Sequence, residues 1–217
     1  MDPDRRFSRT VSLAVLTALV LAPAGFLLAR QSLQLRAESE SRRAAEAGNF
    51  DLSFRKLAIA AAFAPDPENY WSPIGELALK AGDPYTAVYY LKKAQAEDLL
   101  DGEGWKALAA AYLDTGEKDL GAQALSRALE LGGPDPATLG QLVALQIGQG
   151  DYLAAAELLG ALVELPQVDI AALKRHALLL TAVNPEEAVP LLSRLEAEIP
   201  EEAAIFREIG LSIRRAR

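Results

Sequence analysis

Apolar residues fall along this chain in two regimes. Between Arg9 and Arg30, the twenty residues Thr10 to Ala29 carry no charge, in a run dominated by Val, Leu and Ala. At about 1.5 Å per residue, a helix of this length spans the roughly 30 Å hydrocarbon core of a bilayer and satisfies its own backbone hydrogen bonds in lipid. A kink is expected there, because Pro23 frees one carbonyl and Gly25 weakens the same turn. From about residue 34 the apolar positions instead recur at three- and four-residue steps, in short segments broken by Gly and Pro. That pattern predicts amphipathic helices joined in pairs by tight turns.

The second regime repeats. Gly48, Gly82, Gly116 and Gly150 are spaced by 34 residues, in AGNF, AGDP, TGEK and QGDY. Nine residues after each stands Leu57, Leu91, Leu125 or Leu159, and five after each stands Ser53, Ala87, Gly121 or Ala155. Trp71 and Trp105 each precede their glycine by eleven residues. The period, together with WSPIGELA from Trp71, WKALAAAY from Trp105 and A-x3-L-x2-A after the turn, resembles the tetratricopeptide repeat (TPR) family over about residues 34 to 200. The resemblance implies an all-α solenoid of about five helix pairs with a C-terminal capping helix; the uncharged run predicts one transmembrane helix before it. Repeat one lacks the Trp, and repeat five, around Asn184-Pro185, has lost a residue and its turn glycine.

The turn chemistry accounts for the period on its own terms. A glycine at each turn supplies the left-handed conformation that ends one helix, and the Asn, Asp or Glu after it helps to start the next. Asn184 is expected to take the left-handed role in repeat five. Small Ala87 and Ala155 would let paired helices approach closely, while Leu91 and Leu159 would fill the groove between successive repeats. No repeat buries its apolar face alone, so several must stack. Pro65-Asp66-Pro67, Gly132 to Pro136 and Pro166 punctuate the series, which gives repeats at about 34–67, 68–101, 102–135, 136–169 and 170–200. A last helix is expected from Glu201 to Ala216, with acids in its first turn, arginines at its end, and Ile205, Ile209 and Ile213 on its apolar face.

Composition narrows the chemistry. The chain has no cysteine and one histidine, which excludes disulfides, thiolate nucleophiles, Cys-ligated metals and His-paired metal sites. Thirty acids against 22 Lys and Arg give a net charge of -8, which argues against a nucleic-acid surface. The acids concentrate in residues 48–206, where 24 of them face 11 basic residues; such a surface favours basic partners through association rate. His176 occupies an apolar register position in LKRHALLL and is expected to be a partly buried structural residue. No nucleophile or phosphate-loop motif occurs, and Glu186-Glu187 and Glu201-Glu202 are expected to complement helix starts. Trp71, Trp105, Tyr112 and Phe54 recur in register as core. Tyr70, Tyr85, Tyr89 and Tyr90 cluster around repeat two and are candidates for a contact surface. No cofactor, metal or small-molecule substrate is expected.

Thr10–Ala29 is expected to be a single-pass anchor after a short basic terminus (residues 1–9). The alternative is a cleaved signal, with Arg5, Arg6 and Arg9 as its basic region and Ala22-Pro23-Ala24 before the cut, although Phe26, Leu27 and Leu28 continue the run past it. As a signal-anchor it would place the C-terminal bulk outside the cytoplasm. The TPR resemblance implies that the first helix of each pair lines a concave, partner-binding face. By register this is Asn69, Ser72, Glu76 and Leu79, then Glu103, Lys106, Ala110 and Leu113, then Ala137, Gly140, Ala144 and Ile147. Leu79, Leu113 and Ile147 would form an apolar stripe there, or pack beneath the groove. A Lys/Asn clamp for a C-terminal carboxylate is not supported, because Glu38, Arg42 and Pro73 stand in its places. The expected function is a non-enzymatic, membrane-anchored scaffold for protein partners at the cell envelope. The alternatives are a chaperone-like factor holding clients near a translocon or maturation machine, and a permanent subunit of a membrane complex.

Overall fold

The computed structural model describes residues 3–165 and 170–215, with side chains from Pro23 onward. Pro166, Ala216 and Arg217, and the side chains of residues 1–22, therefore lie outside the described part. Eleven α-helices and one 3-10 turn make up the described residues, and they form two compact units, 1–100 and 101–217.

The first unit contains α1 (Pro3–Glu46), α2 (Phe50–Phe63), a 3-10 turn (Pro67–Tyr70), α3 (Trp71–Lys80) and α4 (Pro84–Ala96). Pro23 lies inside α1, and no helix break separates the apolar run from the first repeat. Among the described residues no helix is long and apolar enough to cross a membrane. Residues 10–22 of the expected anchor fall outside the described side chains. Helices α1 and α2 are antiparallel and locked by two buried serines: Ser41 Oγ donates to the Ser53 carbonyl and Ser53 Oγ to the Ser41 carbonyl, each at 2.9 Å. Gly75 of α3 lets α4 approach so closely that a Cβ there would lie 2.5 Å from Leu91 Cγ and 3.3 Å from the Ala87 carbonyl. Leu91 thus packs on the first helix of its own repeat.

The second unit contains α5 (Gly102–Asp114), α6 (Lys118–Gly132), α7 (Pro136–Gln149), α8 (Tyr152–Val163), α9 (Ile170–Val183), α10 (Pro185–Glu198) and α11 (Ala203–Arg215). Its C-terminal core gathers Leu173, Leu180, Leu192, Leu195 and Phe206. His176 is buried in α9, its Nδ1 without a hydrogen-bond partner among the described residues and its Cε1 3.4 Å from where a Cβ on Gly160 would stand. Burial pushes its pKa down, against the opposing charge of Glu187.

The turn glycines take φ of +74°, +79°, +86° and +81°. In each turn the amide after the glycine closes on a carbonyl five residues back: Asn49 to Ala44, Asp83 to Ala78, Glu117 to Tyr112 and Asp151 to Gln146, at 2.8–2.9 Å. The side chains of Asn49, Asp83 and Asp151 then cap the next helix, whereas Glu117 makes no cap bond. Three expectations are corrected. Asn184 is not left-handed: its φ is −148°, so α9 ends without that device. Among the described residues the left-handed non-glycine residue is Asp98, at φ 55°, where the Leu99 amide closes α4 on the Ala94 carbonyl at 3.0 Å. Finally, α11 starts at Ala203, so Glu201 and Glu202 precede it and Glu202 pairs with Lys174 across to α9. Its inward face is Phe206, Ile209 and Ile213, with Ile205 exposed, because the three- and seven-residue steps from Phe206 follow the helical turn better than a strict four-residue step.

Candidate functional site

An open groove of about 420 Å³ lies in the first unit. Helix α1 contributes Glu38, Ser41, Arg42 and Ala45 to its wall, and the 3-10 turn and α3 contribute Asn69, Tyr70, Pro73 and Leu77, with Ser53 and Leu57 of α2 at its floor. The helices place these residues because α1 and α3 run in the same direction on either side of α2, so equivalent turns face each other. Ser41 and Ser53 are committed to each other's carbonyls and are not free to act on a ligand.

The polar side of the groove is a small network. Gln34 Nε2 donates to Tyr70 Oη at 2.8 Å and to Glu38 Oε1 at 3.1 Å, while the Tyr70 hydroxyl donates to Glu38. The hydrogen bond to Glu38 and burial push the Tyr70 hydroxyl's pKa up. Glu38 is thereby occupied internally. Arg42, one turn along, is exposed and has no ion-pair or hydrogen-bond partner among the described residues. The groove thus offers a guanidinium, the Asn69 amide and apolar Leu57, Pro73 and Leu77 to a ligand. These groups suit the carbonyls and side chains of an extended polypeptide.

Of the lining expected from sequence, Asn69 is in this groove's wall, while Ser72, Glu76 and Leu79 are half-buried and outside it. Their equivalents 34 residues earlier, Glu38, Arg42 and Ala45, do line it. In the second unit Lys106 is not free: its Nζ sits 3.0 Å from Glu103 Oε1 and 3.0 Å from Asp135 Oδ2. Those two contacts, Glu103 first, push its pKa up. Asp135 is also the cap of α7, with its Oδ1 accepting from the Thr138 amide at 3.0 Å, and it meets Lys106 through Oδ2 as an ion pair without good hydrogen-bond angles. Burial works to raise its pKa, but the Thr138 and Lys106 contacts win and lower it to about 2. Leu113 packs toward Gly121, where a Cβ would lie 2.7 Å from its Cδ2. Ala110 and Gly140 are half-buried, and Ala137, Ala144 and Ile147 are exposed.

The tyrosines divide. Tyr70 belongs to the groove network. Tyr85 and Tyr89 are exposed on α4, where Lys93 Nζ sits 4.5 Å from the Trp71 ring centroid and 5.5 Å from that of Tyr89. Sequence reasoning found this cluster but missed the lysine within it. The spacing of Trp71 and Lys93 across two helices gives no local signal. Among the described residues no group of three or more His, Asp or Glu stands close enough to hold a metal ion.

The stacked helix pairs, their glycine turns and the groove between first helices define the tetratricopeptide-repeat fold, and this chain has it. Solved structures agree. A MamA protein superposes with a TM-score of 0.64 at 19% identity, over 80% of this chain and 96% of that one. A tetratricopeptide repeat protein from Parabacteroides merdae ATCC 43184 gives 0.61 at 17% identity, over 84% and 72%. YrrB, a TPR protein with an unusual peptide-binding site, gives 0.59 at 14% identity, over 82% and 90%. Cytochrome c-type biogenesis protein CycH of Rhizobium meliloti (strain 1021) is 33% identical over 147 residues, which are 64% of this chain and 35% of that protein. The match thus spans about a third of that relative's length. No protein-family model matches the chain.

Proposed function

We propose that this chain is a membrane-anchored, non-enzymatic interaction module that holds an extended segment of another protein during the biogenesis of c-type cytochromes. The observation that carries this reading is the 33% identity to CycH. A c-type haem is attached at a C-x-x-C-H segment, which must stay accessible and unfolded until the bonds form. A groove that offers Arg42, Asn69 and an apolar floor, without a nucleophile–base pair, suits holding such a chain rather than reacting with it. The uncharged run Thr10–Ala29 supports an anchor, and the short basic terminus before it supports an extracytoplasmic position for the two units. By register, Ser72, Glu76 and Leu79 extend the contact surface within the first unit, and Ala110, Ala144 and Ile147 offer contact positions within the second.

Deleting the gene is expected to lower covalently bound haem in c-type cytochromes, read by in-gel peroxidase staining, and re-expression is expected to restore it. Unchanged staining overturns the role in biogenesis. The chain carrying Arg42→Glu is expected to restore staining poorly while remaining in the membrane fraction. A C-terminal reporter active only in the cytoplasm overturns the extracytoplasmic placement.

A further inference from the structure

The groove does not stand at an arbitrary distance from the apolar run. Helix α1 continues unbroken from that run into the first repeat. Phe26, Leu27 and Leu28 are 67%, 59% and 66% exposed, so none of the described residues covers them. The next residue but one is Arg30, whose guanidinium donates from Nε to the Phe63 carbonyl at 2.8 Å and from Nη2 to the Ala64 carbonyl at 2.6 Å. These are the last carbonyls of α2, which helix geometry leaves without partners and which the helix dipole makes negative. A cation fixed there ties the end of α2 to the first turn of α1 beyond Ala29.

The remaining contacts set the register of the whole unit against α1. Arg30 meets residues 63 and 64, and Ser41 meets Ser53, so α2 returns antiparallel along α1. Tyr70 meets Gln34 and Glu38, so α3 sets out again in the direction of α1. Exposed Pro65 and Asp66 are consequently the end of the unit nearest the apolar run, and the Gly48 and Gly82 turns point away from it. At about 1.5 Å per residue, Glu38 stands about 12 Å beyond Arg30 along the helix, and Ala45 about 22 Å.

We propose that the first unit rests on the lipid headgroup layer by its Pro65–Asp66 connection, stapled there by Arg30, which holds the groove at a fixed height of about 12–22 Å above the hydrocarbon. This rests on the reading of Thr10–Ala29 as a bilayer-spanning helix. The partner is the lipid surface because the only stretch long enough and uncharged enough to enter it leads directly into Arg30. A client reaching the groove then has to do so within about two to four helical turns of the membrane.

The absence of cysteine makes the test direct. The full chain, carrying one fluorophore at Asp66→Cys or at Glu46→Cys, is reconstituted in phosphatidylcholine vesicles containing a headgroup-nitroxide lipid. Glu46 lies beside the distal Gly48 turn, about 24 Å from Arg30 along α1. Quenching at position 66 is expected to exceed that at position 46 several-fold. Adding Arg30→Ala is expected to shrink the ratio, and Arg30→Lys, which keeps one donor, to give an intermediate value, with far-UV dichroism confirming that the helices persist. Equal quenching at the two positions in vesicle-bound protein overturns the seating. A ratio unchanged by Arg30→Ala in folded protein overturns the staple. Protein that fails to float with the vesicles overturns the bilayer-spanning reading itself.

Discussion

One glycine decides how closely the first unit is packed. Replacing Gly75 with Ala adds a single methyl group 2.5 Å from Leu91 Cγ, with the Ala87 carbonyl 3.3 Å away on the same side. Carbon atoms in contact stand about 3.5–4.0 Å apart, so either Leu91 or helix α4 must move by about 1 Å. Leu91 is fully buried and cannot swing into solvent. Overpacking of this kind costs about 1–3 kcal/mol, against which the helix regains about 0.5–1 kcal/mol on losing a glycine. The net expectation is a loss of about 1–2 kcal/mol. At Gly121 the same methyl meets the half-buried Leu113, which can turn outward, so the terms should nearly cancel. At Gly140 nothing lies within 4 Å, and the helix gain should appear alone as a stabilisation of about 0.5–1 kcal/mol. Urea unfolding of the full chain in detergent can separate these cases, because Trp71 reports the first unit and Trp105 the second when the other is replaced by Phe. Combining Gly75→Ala with Leu91→Ala should cost less than the sum of the single changes, by about 1 kcal/mol. A Gly75→Ala chain as stable as the parent, or strict additivity with Leu91→Ala, would refute the close approach of α3 and α4.

Three further outcomes follow from local geometry. Asp135→Ala should destabilise the second unit by about 1–2 kcal/mol through loss of the α7 cap. Because the carboxylate is held at about 2, its contribution should be complete above the ordinary carboxylate range and disappear as pH falls toward 2, a dependence absent in Asp135→Asn, measured by urea unfolding across that range. His176 is pushed down by burial, so the unfolded chain takes up its proton first. Stability should be flat above about pH 6.5 and fall below it with a slope no steeper than about 1.4 kcal/mol per pH unit, and His176→Gln should flatten that slope in thermal unfolding. Gly150→Ala should cost about 1 kcal/mol because its φ is +81°, whereas Asn184→Gly should bring no gain because Asn184 sits at −148°; equal responses to the two changes in unfolding midpoint would contradict the turn geometry.

What could be read from sequence was what recurs. The glycines at 48, 82, 116 and 150 declare themselves because a backbone requirement fixes one residue type at a fixed interval. Asp98 performs the same closure and was invisible, since Asp has many other reasons to stand in a loop. Asn184 shows the converse: a residue that tolerates the left-handed region need not occupy it, and Pro185 after it biases it toward extended backbone. At the C-terminus Ile209 and Ile213 face inward as expected, but Phe206 stands in place of Ile205, because isoleucines four apart are conspicuous and a lone Phe206 is not. The groove was legible only as a register. Its wall in repeat one lies at the very positions read in later repeats, but the Gln34–Tyr70–Glu38 network joins residues over thirty apart and leaves no trace in spacing. The same is true of the Arg30 staple, which joins a side chain to backbone carbonyls of any sequence.

The pairing of each helix with its immediate successor also governs how the molecule comes into being. Within the first unit α2 packs on α1 and α4 on α3, and within the second each of α6 to α11 packs on the helix before it. Such contacts close short loops, so little chain entropy is lost before burial begins, and folding is fast. On the side of the membrane where the chain emerges, each hairpin can therefore form as soon as its second helix is out. The Arg30 and Ser41 bonds wait for no residue beyond Ala64. By the time the second unit is made, the first repeat can already be folded.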